Sequence, residues 1–217
     1  MALVPIKTPK VVKALFPNYI WNIDTTDKII YLTFDDGPTP KITDWTLDIL
    51  EQYKAKATFF CIGANVEKQP DVFKKILKNG HSVGNHTQHH TKGWKTSKDS
   101  YLKDVEKAQN TLNHHLLNSE FNIQKLFRPP YGKITRTQGK SLLELGYNIV
   151  MWDVLSFDWD KNTTKEACTT NVISKAKKGS IIVFHDSVKS ADNMQYALPR
   201  VLEHFGQKGY QFKSLEF

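Results

Sequence analysis

Short apolar runs alternate along the chain with stretches in which apolar residues recur every three or four positions. The β-like runs are 28–34, 57–63, 81–86, 126–130, 147–154, 180–185 and 210–215. Several are continuously apolar, the pattern of parallel strands covered on both faces. Between them, Ile42, Trp45, Ile49, Leu50 and Tyr53 share one helical face, as do Val72, Phe73, Ile76 and Leu77, with Gly80 placed to cap the end. Leu102, Val105, Ala108, Leu112 and Leu116 make a longer stripe. Leu142 and Leu145 before Gly146 make a short one, and Ala197, Leu198, Val201, Leu202 and Phe205 before Gly206 make the last. Parallel strands need crossover connections, so this alternation predicts a parallel sheet with helices on it. Seven runs predict an α/β fold, a distorted (β/α) barrel of about seven parallel strands in a single domain. An open doubly wound sheet is the alternative, and periodicity does not separate the two. In either, functional groups gather at the carboxyl ends of the strands. The whole chain, 1–217, reads as one unit with a core of about 28–217 and an N-terminal extension, 1–27, whose first part drapes over the barrel.

Composition changes this picture little. Hydrophobic residues make up 40% and charged residues 24%, ordinary values for a globular domain. No stretch approaches the ~20 apolar residues of a membrane span. The first apolar run is broken by Pro5 and followed by Lys7, Lys10 and Lys13, unlike a secretory leader, so a cytoplasmic location is the expectation; a chain already trimmed of a leader would read the same way. Cys61 and Cys168 lie in no Cys-x-x-Cys, which predicts free buried thiols and no thiolate zinc site. The formal net charge is +8, but the lysines are scattered, without a run of five or six like charges. No aromatic-basic ladder accompanies them, so no nucleic-acid partner is expected.

Candidate chemistry stands at the strand ends. Thr33-Phe34-Asp35-Asp36-Gly37-Pro38 closes an apolar strand on two carboxylates and a turn. Successive strand side chains point to opposite faces, so both acids reach one site only if the chain curls, which Gly37-Pro38 can supply. Such a pair can divide its work, one binding a cation and the other handling a proton. Four of the eight histidines fall between His81 and His90. His86 and His90 have the spacing that aligns two imidazoles on one helical turn, and imidazole with carboxylate suits a divalent first-row ion. His89 points elsewhere on such a turn, His81 starts the strand and reads as structural, and His114-His115 have no assigned role. Phe127-Arg128-Pro129-Pro130-Tyr131-Gly132 fixes an arginine at the end of a strand, where it could hold Asp35 ionised. Trp152 to Trp159 carries Asp153 and Asp158 among large aromatics, with Trp159 the better placed of the two tryptophans to line a sugar groove. Ile181-Ile182-Val183-Phe184-His185-Asp186 ends a buried strand in a histidine suited to general acid work.

Five segments in this order resemble the NodB-homology polysaccharide deacetylases, carbohydrate esterase family 4. The resemblance rests on Thr-Phe-Asp-Asp-Gly, His-Thr-x-x-His, Arg-Pro-Pro-Tyr-Gly, the Asp158-Trp159 pair and the apolar-x-His ending at His185. It implies a metal-dependent hydrolase that removes N-acetyl groups from GlcNAc-containing glycans. Asp36, His86 and His90 would hold the divalent ion, zinc first and cobalt or nickel as alternatives. It further implies Asp35 as base, His185 as acid, Arg128 orienting Asp35, Asp158 tuning His185, the Tyr131 backbone N–H facing an oxyanion, and Phe184 and Trp159 lining the acetyl or sugar pocket. Two positions depart from the pattern. Leu155 stands where the family carries an acid, whose part is either absent or supplied by Asp153, and Val183 stands where it carries leucine. Two alternatives remain: hydrolysis of another non-peptide C–N bond, such as a formamide, ureide or cyclic imide, and a glycan-binding protein that has lost turnover.

Overall fold

Strand β1 (Ile29–Asp35) is the spine of the sheet. It pairs in parallel with β2 (Ala57–Cys61) on one side and β7 (Ile181–His185) on the other. Outward from β2 lie β3 (Ser82–Asn85), β4 (Leu126–Phe127) and β5 (Asn148–Ile149); outward from β7 lies β6 (Val154–Leu155). These seven parallel strands form a curled half-barrel, and β8 (Gln211–Phe212) adds to the start of β1. The structure is a computed structural model and describes residues 5–115 and 124–217.

Helices cover the outer face: α1 (Lys10–Leu15), α2 (Ile42–Gln52), α3 (Gly63–Lys68), α4 (Pro70–Lys78), α5 (Lys98–His114), α6 (Arg136–Glu144), α7 (Lys165–Ile173) and α8 (Ala191–Gln207). The predicted stripes lie on these helices, and Leu47, Leu50, Phe73, Ile76, Leu198 and Val201 pack with Leu32, Phe34, Phe59 and Phe184 in the main core. Three stripe positions behave otherwise. Tyr53 and Leu145 fall at helix C-caps and are exposed, because the helix ends before their turn of the stripe is completed. Leu116 lies outside the described residues.

The run 147–154, expected as one strand, is two. β5 and β6 occupy opposite edges of the sheet and do not pair with each other. The N-terminal segment bridges them: Ile20 pairs with Val150 and Lys7 with Val154, and the Leu155 N–H donates to the Ile6 carbonyl at 2.8 Å. Asp153, between the two strands, is buried and accepts from Lys7 (2.9 Å), Lys13 (2.7 Å) and Ser180 (2.6 Å). Its charge is committed to that seam, so it does not supply the acid missing at Leu155. Leu155 is itself buried beside Val183. Both cysteines are free and buried, as expected.

Candidate active site

The site forms where β1 and β7 end. Asp35 and His185 are register partners, and register partners of a parallel ladder share a face. The same alternation sends Phe34 and Phe184 to the helix side. Phe184 is fully buried in the main core, its ring centroid 6.1 Å from that of Phe34. The expectation that Phe184 lines the acetyl or sugar pocket is therefore wrong: it is one strand position out of phase with the site.

The curl after β1 begins one residue earlier than expected. Asp36 itself adopts φ 81°, a left-handed conformation that a short polar side chain tolerates, and its side chain thereby joins Asp35 at one site. The next residue must be glycine because a Cβ on Gly37 would sit 2.0 Å from Asp186 Oδ2. Asp186 holds the turn: it accepts from the Gly37 N–H (3.0 Å) and the Thr43 hydroxyl (2.5 Å), while Asn65 donates to the Asp36 carbonyl (2.7 Å). Burial, with the nearby charge of Asp36, pushes the Asp186 carboxyl up to about 7 against those two hydrogen bonds. Neither Asp186 nor Thr43 was singled out from the sequence. A carboxylate directly after His185 was the available signal.

The histidine segment is not a helical turn. After β3 the chain loops, with Thr87 (φ 64°) and His90 (φ 54°) both left-handed. The Thr87 N–H caps onto Asn85 Oδ1 (2.8 Å), and the Gly63 and Ala64 N–H groups at the start of α3 donate to the Thr87 and Gln88 carbonyls. This loop brings His86 and His90 together by another route than spacing suggested. His86 Nε2 and His90 Nε2 lie 3.7 and 3.2 Å from Asp36 Oδ1. His89 turns away to Asp104 (2.6 Å). His81 is buried, accepts from the Ala57 N–H (3.2 Å) and has its pKa driven down to about 4 by burial and Lys56.

The group Asp36, His86 and His90 fits a cation. One ligand atom from each lies within 4.8 Å of the others. Burial lowers both imidazole pKa values, that of His90 to about 4, so neither ring brings a positive charge. Neutral His86 has its Nδ1–H directed to the Arg128 carbonyl (2.8 Å), which leaves a lone pair on Nε2. Asp36 Oδ1 is buried and has no hydrogen-bond partner among the described residues. Lone pairs converging on a space without a donor are the electrostatic signature of a cation site.

Asp35 borders this group. Arg128 is completely buried and donates through Nη1 to Asp35 Oδ1 and Thr33 Oγ1 (2.7 Å each) and through Nε and Nη2 to the Val150 and Met151 carbonyls (3.1 and 2.8 Å). Its guanidinium lies 4.1 Å from the Phe60 ring centroid. Burial alone would raise the Asp35 pKa, but the charge and hydrogen bond of Arg128, with the charge of His185, hold it below the ordinary carboxylate value. Tyr131 stands in the turn Pro130–Gly132 with φ 59°. Its N–H has no acceptor among the described residues. Gly132 (φ 64°) lies on Trp152, whose ring a Cβ there would meet at 2.1 Å, so Trp152 supports the turn from beneath.

His185 is held from behind by Asp158, which accepts from its N–H (2.7 Å) and its Nδ1 (2.8 Å). Trp159 packs edge-on against it at 4.8 Å and stacks on Phe157 at 5.0 Å. Burial lowers the imidazole pKa, but Asp158, helped by Asp36 and Asp35, outweighs it and lifts the value to about 9. A folded value above the ordinary 6.5 means that the pair stabilises the fold fully below about pH 6.5 and loses this contribution as pH rises through about 9. Metal-free protein is therefore expected to lose stability across that window, and His185→Gln to flatten the loss. Denaturant midpoints that fall equally in both proteins would contradict this.

A curled parallel half-barrel with a buried Arg–carboxylate pair beside an Asp–His–His group defines a hydrolase whose site can hold a cation. The family model described as polysaccharide deacetylase matches residues 22–150. A peptidoglycan-N-acetylglucosamine deacetylase of Bacillus cereus is 36% identical over 194 residues, covering 88% of each chain. The peptidoglycan-N-acetylmuramic acid deacetylase PdaC of Bacillus subtilis is 33% identical over 189 residues, 87% of this chain and 38% of that longer relative. The crystal structure of the Bc1960 peptidoglycan N-acetylglucosamine deacetylase, in complex with 4-naphthalen-1-yl-N-oxidanyl-benzamide, superposes with a TM-score of 0.86 at 33% identity, over 96% of this chain and 95% of that one. The chain belongs to the polysaccharide deacetylase family.

Proposed function

We propose that this protein hydrolyses the N-acetyl group of GlcNAc-containing glycan, with peptidoglycan as the substrate class its relatives suggest and zinc as the ion. The observation that carries the reading is the juxtaposition of an ionised, arginine-held Asp35 with three convergent ligand atoms on Asp36, His86 and His90. Two imidazole nitrogens and a carboxylate oxygen suit zinc, and cobalt or nickel would accept the same set. Such an ion supplies Lewis acidity, polarising an acetyl carbonyl and making water more acidic.

The side chains divide the remaining work. Asp35, ionised at neutral pH, takes the proton of the attacking water, and Arg128 keeps its carboxylate charged and fixed. The Tyr131 N–H, which has no acceptor among the described residues, donates to the carbonyl oxygen as negative charge develops on it. His185 is protonated at neutral pH through Asp158 and gives its proton to the sugar nitrogen as the C–N bond breaks. Acetate and the free amine leave, and one water has been consumed. Trp159 offers a ring face to the sugar.

Acetate release from N-acetylated chito-oligosaccharides and peptidoglycan fragments, measured with the metal content known, tests the reading. Metal-loaded protein that releases acetate from none of them would overturn it. His86→Ala is expected to lose both bound metal, by elemental analysis, and turnover, whereas His89→Ala should keep both.

A further inference from the structure

The rim beside His90 carries an aromatic surface with charge on it. From the His90 ring, Tyr131 is 4.6 Å away, and Trp94 stands edge-on to Tyr131 at 5.4 Å. Both are among the large apolar side chains that stay exposed, Tyr131 at 51% and Trp94 at 41%. Lys92 Nζ lies 5.5 Å from the Tyr131 ring centroid and Lys133 Nζ 5.6 Å from that of Trp94. Among the described residues, neither lysine has a carboxylate within ion-pair distance or an acceptor for its ammonium group, although other lysines of this chain do.

The surface is built rather than accidental. Trp94 sits on the single turn Gly93–Lys95, which the fully buried Gln138 of α6 pins by donating to the Gly93 carbonyl (2.9 Å) and the Thr96 carbonyl (3.1 Å). The Tyr131 turn rests on Trp152 through Gly132. Two exposed rings are thus held at fixed positions by buried partners, at a small cost in conformational freedom on binding. Exposed rings of this kind stack on the apolar face of a sugar. Two unpaired ammonium groups above them add a preference for an anion on that sugar.

We propose that Lys92, Trp94, Tyr131 and Lys133 form a subsite next to the reaction centre that takes a sugar ring bearing its own carboxylate, of the lactyl-ether type found in muramic acid. This deepens the proposed function and rests on it for the position of the reacting sugar. Trp94 and Tyr131 supply the stacking surface, and the lysines supply selectivity.

The test compares a neutral N-acetylglucosamine tetramer with the alternating N-acetylglucosamine–N-acetylmuramic acid tetrasaccharide lacking peptide, and with its carboxylate methylamide. For wild type, kcat/KM should favour the acidic oligomer over both neutral ones, and the preference should shrink with added salt. Lys92→Gln/Lys133→Gln should lower the acidic-to-neutral ratio by about tenfold, whereas Trp94→Ala should lower kcat/KM on both without changing the ratio. A ratio unchanged in the double lysine variant, or a methylamide used as well as the acid, would overturn the subsite. Binding of the same oligomers by calorimetry separates this idea from the catalytic one. Tighter binding of the acidic oligomer, lost in the lysine variant, supports the subsite even if no acetate is released. Acetate release with equal binding of the acidic and neutral oligomers removes the subsite and leaves the deacetylase reading intact.

Discussion

Turnover is expected to fall by about 10²–10⁴ when Asp35 becomes asparagine, the range that loss of a positioned general base produces. Asparagine keeps the shape and can still receive the Arg128 hydrogen bond that now reaches Asp35 Oδ1 at 2.7 Å, but it cannot accept a proton. The residues proposed to hold the cation, Asp36, His86 and His90, are untouched, so metal content should match wild type. The pairing of these two measurements gives the experiment its force. Normal turnover in Asp35→Asn would remove Asp35 from its assigned role. Loss of metal along with turnover would make Asp35 part of the ligand set rather than a neighbour of it.

The largest stability effect is expected at Arg128. Arg128→Leu removes the partner of a buried carboxylate and the donors to the Val150 and Met151 carbonyls. Breaking a buried ion pair from one side costs about 3–5 kcal/mol, because the remaining charge stays desolvated. Chemical denaturation of the metal-free protein should show this as a lower midpoint with little change in slope. Adding Asp35→Asn to Arg128→Leu should recover part of the loss, since an amide is less costly to bury alone than a carboxylate. A double variant no more stable than Arg128→Leu would mean that the arginine's backbone hydrogen bonds, rather than its charge pairing, hold this part of the fold.

Much of the site was legible because strand ends are legible. An apolar run that stops at a carboxylate, an arginine or a histidine names both the end of a strand and a polar group placed there, and Asp35, Arg128 and His185 were found in this way. Asp186 and Trp94 were not. Asp186 follows a histidine that already satisfied the pattern, and its value depends on Thr43 and Gly37 from another element. Trp94 lies in a segment without periodicity, where only the hydrogen bonds of Gln138 fix its place. Phe184 lies on the expected strand but faces the main core rather than the site. The pocket role came only from the family resemblance, whereas alternation along a strand puts Phe184 on the face opposite to His185.

The linear order of residues determined the layers, the strand ends and the chemical types available there, because periodic burial and turn preferences act over a few residues. Only the tertiary structure decided that the sheet curls into a half-barrel, that one apolar run divides between its two edges, and that the N-terminal segment spans the seam. It also decided how Asp36 meets His86 and His90. That meeting depends on left-handed backbone at Asp36, Thr87 and His90, conformations that residues other than glycine rarely adopt. Here hydrogen bonds from distant elements hold the two loops in place: Asn65 and Asp186 around the Asp36 turn, and the start of α3 on the histidine loop.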